Sequence, residues 1–220
     1  MEAVVERLAR LPQLGLIYRE LTDFWDKERK ARLDFYDSIQ DGQKVEFING
    51  KIIMHSPDTV RHIKVRQRLT KLVETFATQN GLGTVLGEKA LICLTRNSYM
   101  PDMVLFLPEK GDVLAPDQMR LPAPDLAVEV LSPGTSRRDR GVKFADYAAH
   151  GIREYWIVDP VAETVECFKL GPLKEYLETG KFWSRQDHLV RSKAMKGFEV
   201  SARAFFEDKA NLEALRELLK

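Results

Sequence analysis

The chain has 220 residues, of which 44% are hydrophobic and 30% charged; this is enough apolar material for one buried core with appendages, and too much for a disordered chain. A formal net charge of +1 excludes any argument for a nucleic-acid or membrane partner from global electrostatics, so such an argument must rest on local patches. No apolar run approaches the roughly 20 residues that span a bilayer, and MEAVVERLARLPQLGL has acids where a secretory leader needs a basic start. The expectation is a cytoplasmic, reducing setting without membrane contact, in which Cys93 and Cys167 are buried small hydrophobes rather than a disulfide.

Residues 1–40 read as a helical extension. Ile17, Leu21, Phe24 and Trp25 recur at three and four, giving an apolar stripe to pack on the body or on a second copy of the chain. In VEFINGKIIMHSP (45–57) the dipeptide Asn49-Gly50 between extended apolar arms predicts a two-residue hairpin, with Glu46 on its first arm. From Val60 to Asn80 the spacing of Val65, Leu69, Leu72, Val73 and Phe76 predicts a helix stopped by Gly81 and Gly83. Arg61, Lys64, Arg68 and Lys71 form a basic stripe on another face of it, either an ordinary solvated surface or a phosphate track.

Three strand candidates follow: TVLGEKALICL (84–94), YMPDMVLFL (99–107) and DLAVEVL (125–131). The four-proline segment from Pro108 to Pro124 reads as a surface excursion. A helix from about Arg137 to His150, capped by Thr135 or Ser136, leads through Gly151 to the strand REYWIVDP (153–160). Segments 163–169 and 189–200 add two strands, and the tail from Arg203 is helical through Leu212, Leu215 and Leu218. The fold class is therefore α/β. Strand, helix and strand over 125–158 make a right-handed crossover in a mixed sheet flanked by helices, with a small β appendage after it. The expected units are 1–40 as the extension, 41–206 as the body and 207–220 as a C-terminal helix.

The chemistry concentrates in PDLAVEVLSP. Glu129 stands in an apolar strand, where an unpaired carboxylate costs several kcal/mol, so it should be neutralised or face a cation. Asp102, after Pro101, starts another strand; two carboxylates on one sheet face repel unless a cation such as Mg²⁺ sits between them. Asp139, Lys143 and Tyr147 recur at i, i+4 and i+8, which puts Lys143 beside the end of the Glu129 strand, able to orient a metal-held water. Each residue also has a plainer reading. Glu129 can pair with an arginine, Asp102 can be a strand-start residue, Glu46 a solvated hairpin acid, and Asp139 with Lys143 a surface ion pair. His62, at the start of the basic helix, reads as a surface or capping residue, Tyr147 and Tyr155 as packing residues. His55, His150 and His188 show no zinc-ligand spacing.

Together Glu46, Pro101-Asp102, Glu129-Val130-Leu131, Asp139 and Lys143 resemble the active-site pattern of the PD-(D/E)XK nuclease superfamily. More closely, VEFINGKIIMHSP, the HIKVRQRL helix, MPDMVLF, PDLAVEVLSP and RRDRGVKFADYAAHGIREYWIVDP resemble the Uma family of bacterial endonucleases, over residues 36–206. The resemblance implies a restriction-endonuclease-like core, Mg²⁺ or Mn²⁺ as cofactor, and hydrolysis of phosphodiesters in DNA. It makes Asp102 and Glu129 the metal ligands, Glu46 a further acid, and His62 a residue that contacts phosphate or buttresses Glu46. Asp139, Arg61 and Arg137 are supporting or phosphate-contacting candidates. One position departs from the superfamily pattern: Leu131 stands where a lysine is wanted, and the Uma resemblance implies that Lys143 on the following helix takes its place. Nucleases that cut both strands often pair, so a homodimer is a further expectation. The competing readings are a non-catalytic DNA-binding protein that keeps the fold, and a hydrolase or interaction module without a nucleic-acid role.

Overall fold

Two helices, α1 (Glu2–Ala9) and α2 (Leu14–Ser38), open the computed structural model, which describes residues 2–40, 42–186 and 188–220, with side chains from residue 4. Asp41, where the sequence reading begins the body, lies outside the described residues. The apolar stripe of α2 is used in two halves. Near its C-terminal end Phe35 is buried and packs on Phe47, with ring centroids 5.6 Å apart. Near its start Leu21, Phe24 and Trp25 are exposed, and the Arg96 guanidinium lies over Phe24, 5.8 Å from the ring centre. The join between the halves is Glu28, whose carboxylate takes two bonds from Arg96 at 2.7 and 2.8 Å.

The hairpin forms as its turn chemistry demands: β1 (Val45–Ile48) and β2 (Lys51–Met54) meet at Asn49, φ 50°, and Gly50, φ 77°. Helix α3 (Val60–Gln79) starts on the Thr59 hydroxyl, which accepts from the His62 N–H, and buries Val65, Leu69, Leu72, Val73 and Phe76. The stretch 84–94 is not one strand but two, β3 (Thr84–Leu86) and β4 (Leu91–Cys93), because the chain turns at Lys89, φ 73°. The stretch 99–107 likewise divides into β5 (Ser98–Tyr99) and β6 (Met103–Phe106) around Pro101, which has no N–H for a ladder. The proline-rich excursion carries a short helix, α4 (Pro108–Gly111), and β7 (Arg120–Leu121), which pairs parallel to β4.

The crossover runs from β8 (Leu126–Val130) through α5 (Ser136–Arg138), a π turn (Asp139–Lys143) and α6 (Phe144–Ala149) to β9 (Glu154–Asp159), parallel to β8 with Val128 opposite Trp156. Thr135 occupies the N-cap position but does not cap the helix through its side chain; its hydroxyl accepts from Ser132 N at 3.2 Å and so closes the preceding turn. Then come β10 (Thr164–Leu170), β11 (Tyr176–Trp183), β12 (Leu189–Arg191), β13 (Glu199–Ser201) and α7 (Asp208–Leu218). The main sheet has the order β11-β10-β9-β8-β6-β3, the second β2-β1-β5-β4-β7, and β12-β13 form a separate pair. Strands β10 and β11 extend the main sheet, so the β appendage is the β12-β13 pair alone.

Period-two alternation divides the main sheet's side chains. Met103, Leu105, Leu126, Val128, Val130, Trp156 and Val158 share a core with α3 and the C-terminal segment. Val104, Phe106, Ala127, Tyr155 and Ile157 share another with Tyr147, Ala148 and the second sheet. Cys167 is buried and Cys93 half-buried, both as free thiols. The basic stripe on α3 is not uniform: Arg61, Lys64 and Lys71 are exposed, whereas Arg68 is buried and bonded to Asp208 of α7 at 2.7 Å. No described helix is long and apolar enough to cross a membrane.

One buried carboxylate ties the C-terminal segment to the sheet. Glu154 accepts from Trp156 Nε1 at 2.8 Å, Ser192 Oγ at 2.7 Å, and the backbone N–H groups of Lys193 and Ala194 at 2.9 and 2.7 Å. Glu154→Ala leaves these donors unsatisfied in the interior, each such loss costing about 1–3 kcal/mol. The variant is expected to lose about 3 kcal/mol, read as a lower urea midpoint.

Candidate active site

The β6–β8 ladder places the two central acids. Its register, Met103 opposite Val128, continues one step to Asp102 opposite Glu129, and Asp102 N donates to Val128 O at 3.1 Å. Opposed residues of an antiparallel pair share a face, so both carboxylates stand on the side of Val104 and Ala127. Asp102 is fixed through both oxygens. Oδ2 accepts from Val130 N at 2.8 Å, while Oδ1 lies 2.7 Å from Lys44 Nζ and 3.4 Å from His62 Nε2. Burial would raise the pKa of Asp102, but His62 and Lys44 outweigh it and hold the carboxyl well below the usual range. Burial opposes the charge on Lys44 too, and Asp102 and Glu129 more than offset it, so the ammonium is held.

Lys143 arrives from the π turn, an irregularity that recurs at functional sites. Its Nζ stands 2.9 Å from Glu129 Oε1, 2.9 Å from Glu46 Oε1 and 3.3 Å from Asp139 Oδ1. The Tyr147 hydroxyl also donates to Glu129 Oε1, at 2.9 Å. The shared face read from i, i+4 and i+8 is therefore realised as Asp139 against Lys143, with Lys143 and Tyr147 on one carboxylate oxygen. Glu46 is completed by Met100 N at 3.0 Å and His55 Nε2 at 3.0 Å. Neither carboxylate of Asp139 and Glu46 meets solvent, and both oxygens of Asp139 lack a hydrogen-bond donor among the described residues.

One ammonium facing three buried carboxylates cannot neutralise them all. Burial acts against the charge of Glu46, but Lys143 and His55 bring it down to about 2. Glu129 goes the other way: burial, with the nearby charges of Asp139, Asp102 and Glu46 overriding Lys143, pushes it up to about 8. Burial likewise opposes the charge of Lys143, and Glu129, Glu46 and Asp139 together hold it firmly protonated. Tyr147 stays a hydroxyl donor, pushed up by burial and by Glu129.

Above this cluster opens a cleft of about 790 Å³, lined by Lys44, His55, Asp58, Arg61, His62, Asp102, Glu129, Arg138 and the Ser132–Thr135 turn among others. Glu46, Asp139, Lys143 and Tyr147 do not line it; they form the layer beneath. Arg61 is exposed at the rim and Arg137 is exposed outside the cleft, while the neighbouring Arg138 faces in, its Nε buried without a described acceptor. His62 is buried rather than a surface residue, and it touches Asp102, not Glu46. The histidine against Glu46 is His55, which sequence spacing passes over. Lys44 and Arg66 are also unforeseen; Arg66 bonds Asp58 at 2.7 Å and Glu88 at 2.9 Å and approaches Asp102 at 3.8 Å.

A model of the Uma2 family, described as "Putative restriction endonuclease", matches residues 32–197 of this arrangement. The chain belongs to the Uma2 family. A solved structure described as "a putative nuclease belonging to DUF820 from Anabaena variabilis ATCC 29413" is similar with a TM-score of 0.67 and 20% identity, over 82% of this chain and 96% of that one. At that identity the likeness speaks for the fold, a restriction-endonuclease-like core with mixed sheets flanked by helices. No protein of curated function matches the chain.

Within this Uma2 member, the acidic side chains that line the cleft, Asp58, Asp102 and Glu129, offer hard carboxylate oxygens. No cluster of three or more His, Cys, Asp or Glu side chains arranged to hold an ion occurs among the described residues. Two opposed carboxylates suit Mg²⁺, which takes one or two such ligands and completes its shell with water and substrate phosphate. Lys143 and Tyr147 both hold Oε1 of Glu129. No described residue donates to Oε2, which leaves that oxygen for the cleft.

Proposed function

We propose that this chain is a Mg²⁺-dependent endonuclease that hydrolyses phosphodiester bonds of DNA. The observation that carries the reading is the opposition of Asp102 and Glu129 on one face of β6–β8, at the floor of a cleft lined with cationic side chains. Asp102 and Glu129 would hold a divalent ion, Mg²⁺ or Mn²⁺, and when bound it supplies polarisation of the phosphate and a more acidic water. The chain's own residues do the rest. Val130 N–H and His62 fix Asp102, and Lys143 and Tyr147 fix Glu129, so neither carboxylate needs to reorganise. Glu46 and Asp139 hold the Lys143 ammonium in place from below. Water oxygen attacks phosphorus in line, the bond to the 3′ oxygen breaks, and a proton from water ends on that oxygen, giving a 3′ hydroxyl and a 5′ phosphate.

Supercoiled plasmid incubated with the full chain tests this. Conversion to open circles with Mg²⁺ or Mn²⁺, and none with EDTA, is the expected result. Salt-sensitive binding without cleavage under either ion, unaffected by Asp102→Asn, overturns it in favour of a non-catalytic binder. The rim supplies a separate prediction. Arg61→Ala is expected to weaken DNA binding for all sequences alike and to lower the slope of log affinity against log salt by about 1, whereas Arg137→Ala, outside the cleft, leaves the slope unchanged. Fluorescence anisotropy across a salt series reads both.

A further inference from the structure

We infer that Lys44, rather than Lys143, is the amine that touches the scissile phosphate, an inference that rests on the nuclease reading above. An ammonium has three N–H donors and no acceptor. Those of Lys143 are surrounded by Glu46, Glu129 and Asp139 at 2.9, 2.9 and 3.3 Å, with the Tyr99 ring centre 5.8 Å away. Its side chain is 1% exposed and does not line the cleft. To meet a substrate it would have to abandon all three carboxylates.

Lys44 is placed differently. Its side chain is 13% exposed and lines the cleft beside Asp102 and Glu129. Asp102 Oδ1 takes one of its N–H groups at 2.7 Å, and no other described residue takes the remaining two. Its backbone is held at the open end of the hairpin, Lys44 O accepting from His55 N at 3.1 Å, so the side chain reaches inward from a fixed base. Its charge therefore lies next to the two carboxylates, where a phosphate brought to Asp102 and Glu129 would present its non-bridging oxygens. A fixed cation at that point stabilises the charge that grows on phosphorus-bound oxygen in the transition state. The end of β8 cannot supply it, since Leu131, the next residue, lines the cleft with an apolar, uncharged side chain. Lys143 is then a positioning residue that sets Glu129 and Glu46.

The test compares the full-length wild type with Lys44→Met and with Lys44→Cys before and after alkylation by bromoethylamine, which restores an ammonium at that site; wild type treated alike is the control. Single-turnover cleavage of DNA with Mn²⁺, the salt slope of DNA binding and the melting temperature are read on each. Lys44→Met is expected to cut about 10²-fold more slowly or worse, to lose about 1 from the salt slope and to melt near the wild type, with alkylated Lys44→Cys regaining most of the rate. Cleavage by Lys44→Met within about threefold of wild type overturns the inference, as does a slow rate that alkylation fails to restore. A loss of rate that only tracks a collapse in melting temperature also overturns it, assigning Lys44 a structural role. If the wild type itself fails to cut with every divalent ion tried, the nuclease reading fails first and this inference goes with it.

Discussion

Glu129→Gln is expected to cut DNA at least about 10³-fold more slowly than the wild type, with the chain still folded. The amide keeps the shape and one acceptor for Lys143 and Tyr147, but it loses the anionic oxygen that would bind an ion across from Asp102. The same variant should change how stability depends on pH. The folded-state value for Glu129, about 8, lies above the ordinary 4.5. A carboxyl raised in this way contributes stability below the unfolded value and loses it as pH rises through the folded one. Glutamine cannot ionise, so the melting temperature of Glu129→Gln relative to wild type should climb between about pH 5 and pH 8. A difference that falls over that window would show an ionised Glu129 that Lys143 needs. Glu46 carries the opposite sign, being held down to about 2; its contribution is present above 4.5 and lost as pH falls through the folded value. Glu46→Gln should therefore converge on the wild type in acid.

Lys143→Met is expected to be the most destabilising single change near the site. Methionine fills a similar volume without charge, and it leaves Glu46, Glu129 and Asp139 facing one another with no cation among them. Removing one partner from a buried ion pair costs about 3–5 kcal/mol, and here a single ammonium serves three carboxylates. Urea unfolding at pH 7 measures the loss, and the deficit should shrink in acid as the carboxylates take up protons. A loss below about 1 kcal/mol would mean that the three acids are already protonated or hydrated without the lysine.

The parts of the fold with local causes were legible. Asn49-Gly50 wrote its own turn, the spacing of Val65, Leu69, Leu72 and Phe76 wrote α3, and the crossover from β8 to β9 followed from strand, helix and strand. The divided strands were not legible, because periodicity cannot tell one extended run from two that join different sheets. Nor was β11, an edge strand whose exposed Leu177, Glu178 and Lys181 leave no apolar alternation to detect. At the site, Glu129 stood out by charge in an apolar strand, Asp102 by its place after Pro101 at the start of another, and Lys143 by its spacing from Asp139 and Tyr147. Lys44 and His55 did not, since a lysine and a histidine near a hairpin carry no local pattern, and only the tertiary contacts, Lys44 on Asp102 and His55 on Glu46, reveal what they meet. The resemblance brought His62 to notice, while its contact with Asp102 depends on how α3 lies across the sheet.

The pairing of β6 with β8 has a last consequence. Sliding either strand by a single position would swap which of its side chains face the helices, burying a carboxylate in the hydrocarbon layer beneath α3 and turning an aliphatic residue toward the cleft. Correct alignment of the core and correct placement of the two acids are thus one and the same folding decision, so a molecule that assembles its interior brings Asp102 and Glu129 together without any separate step.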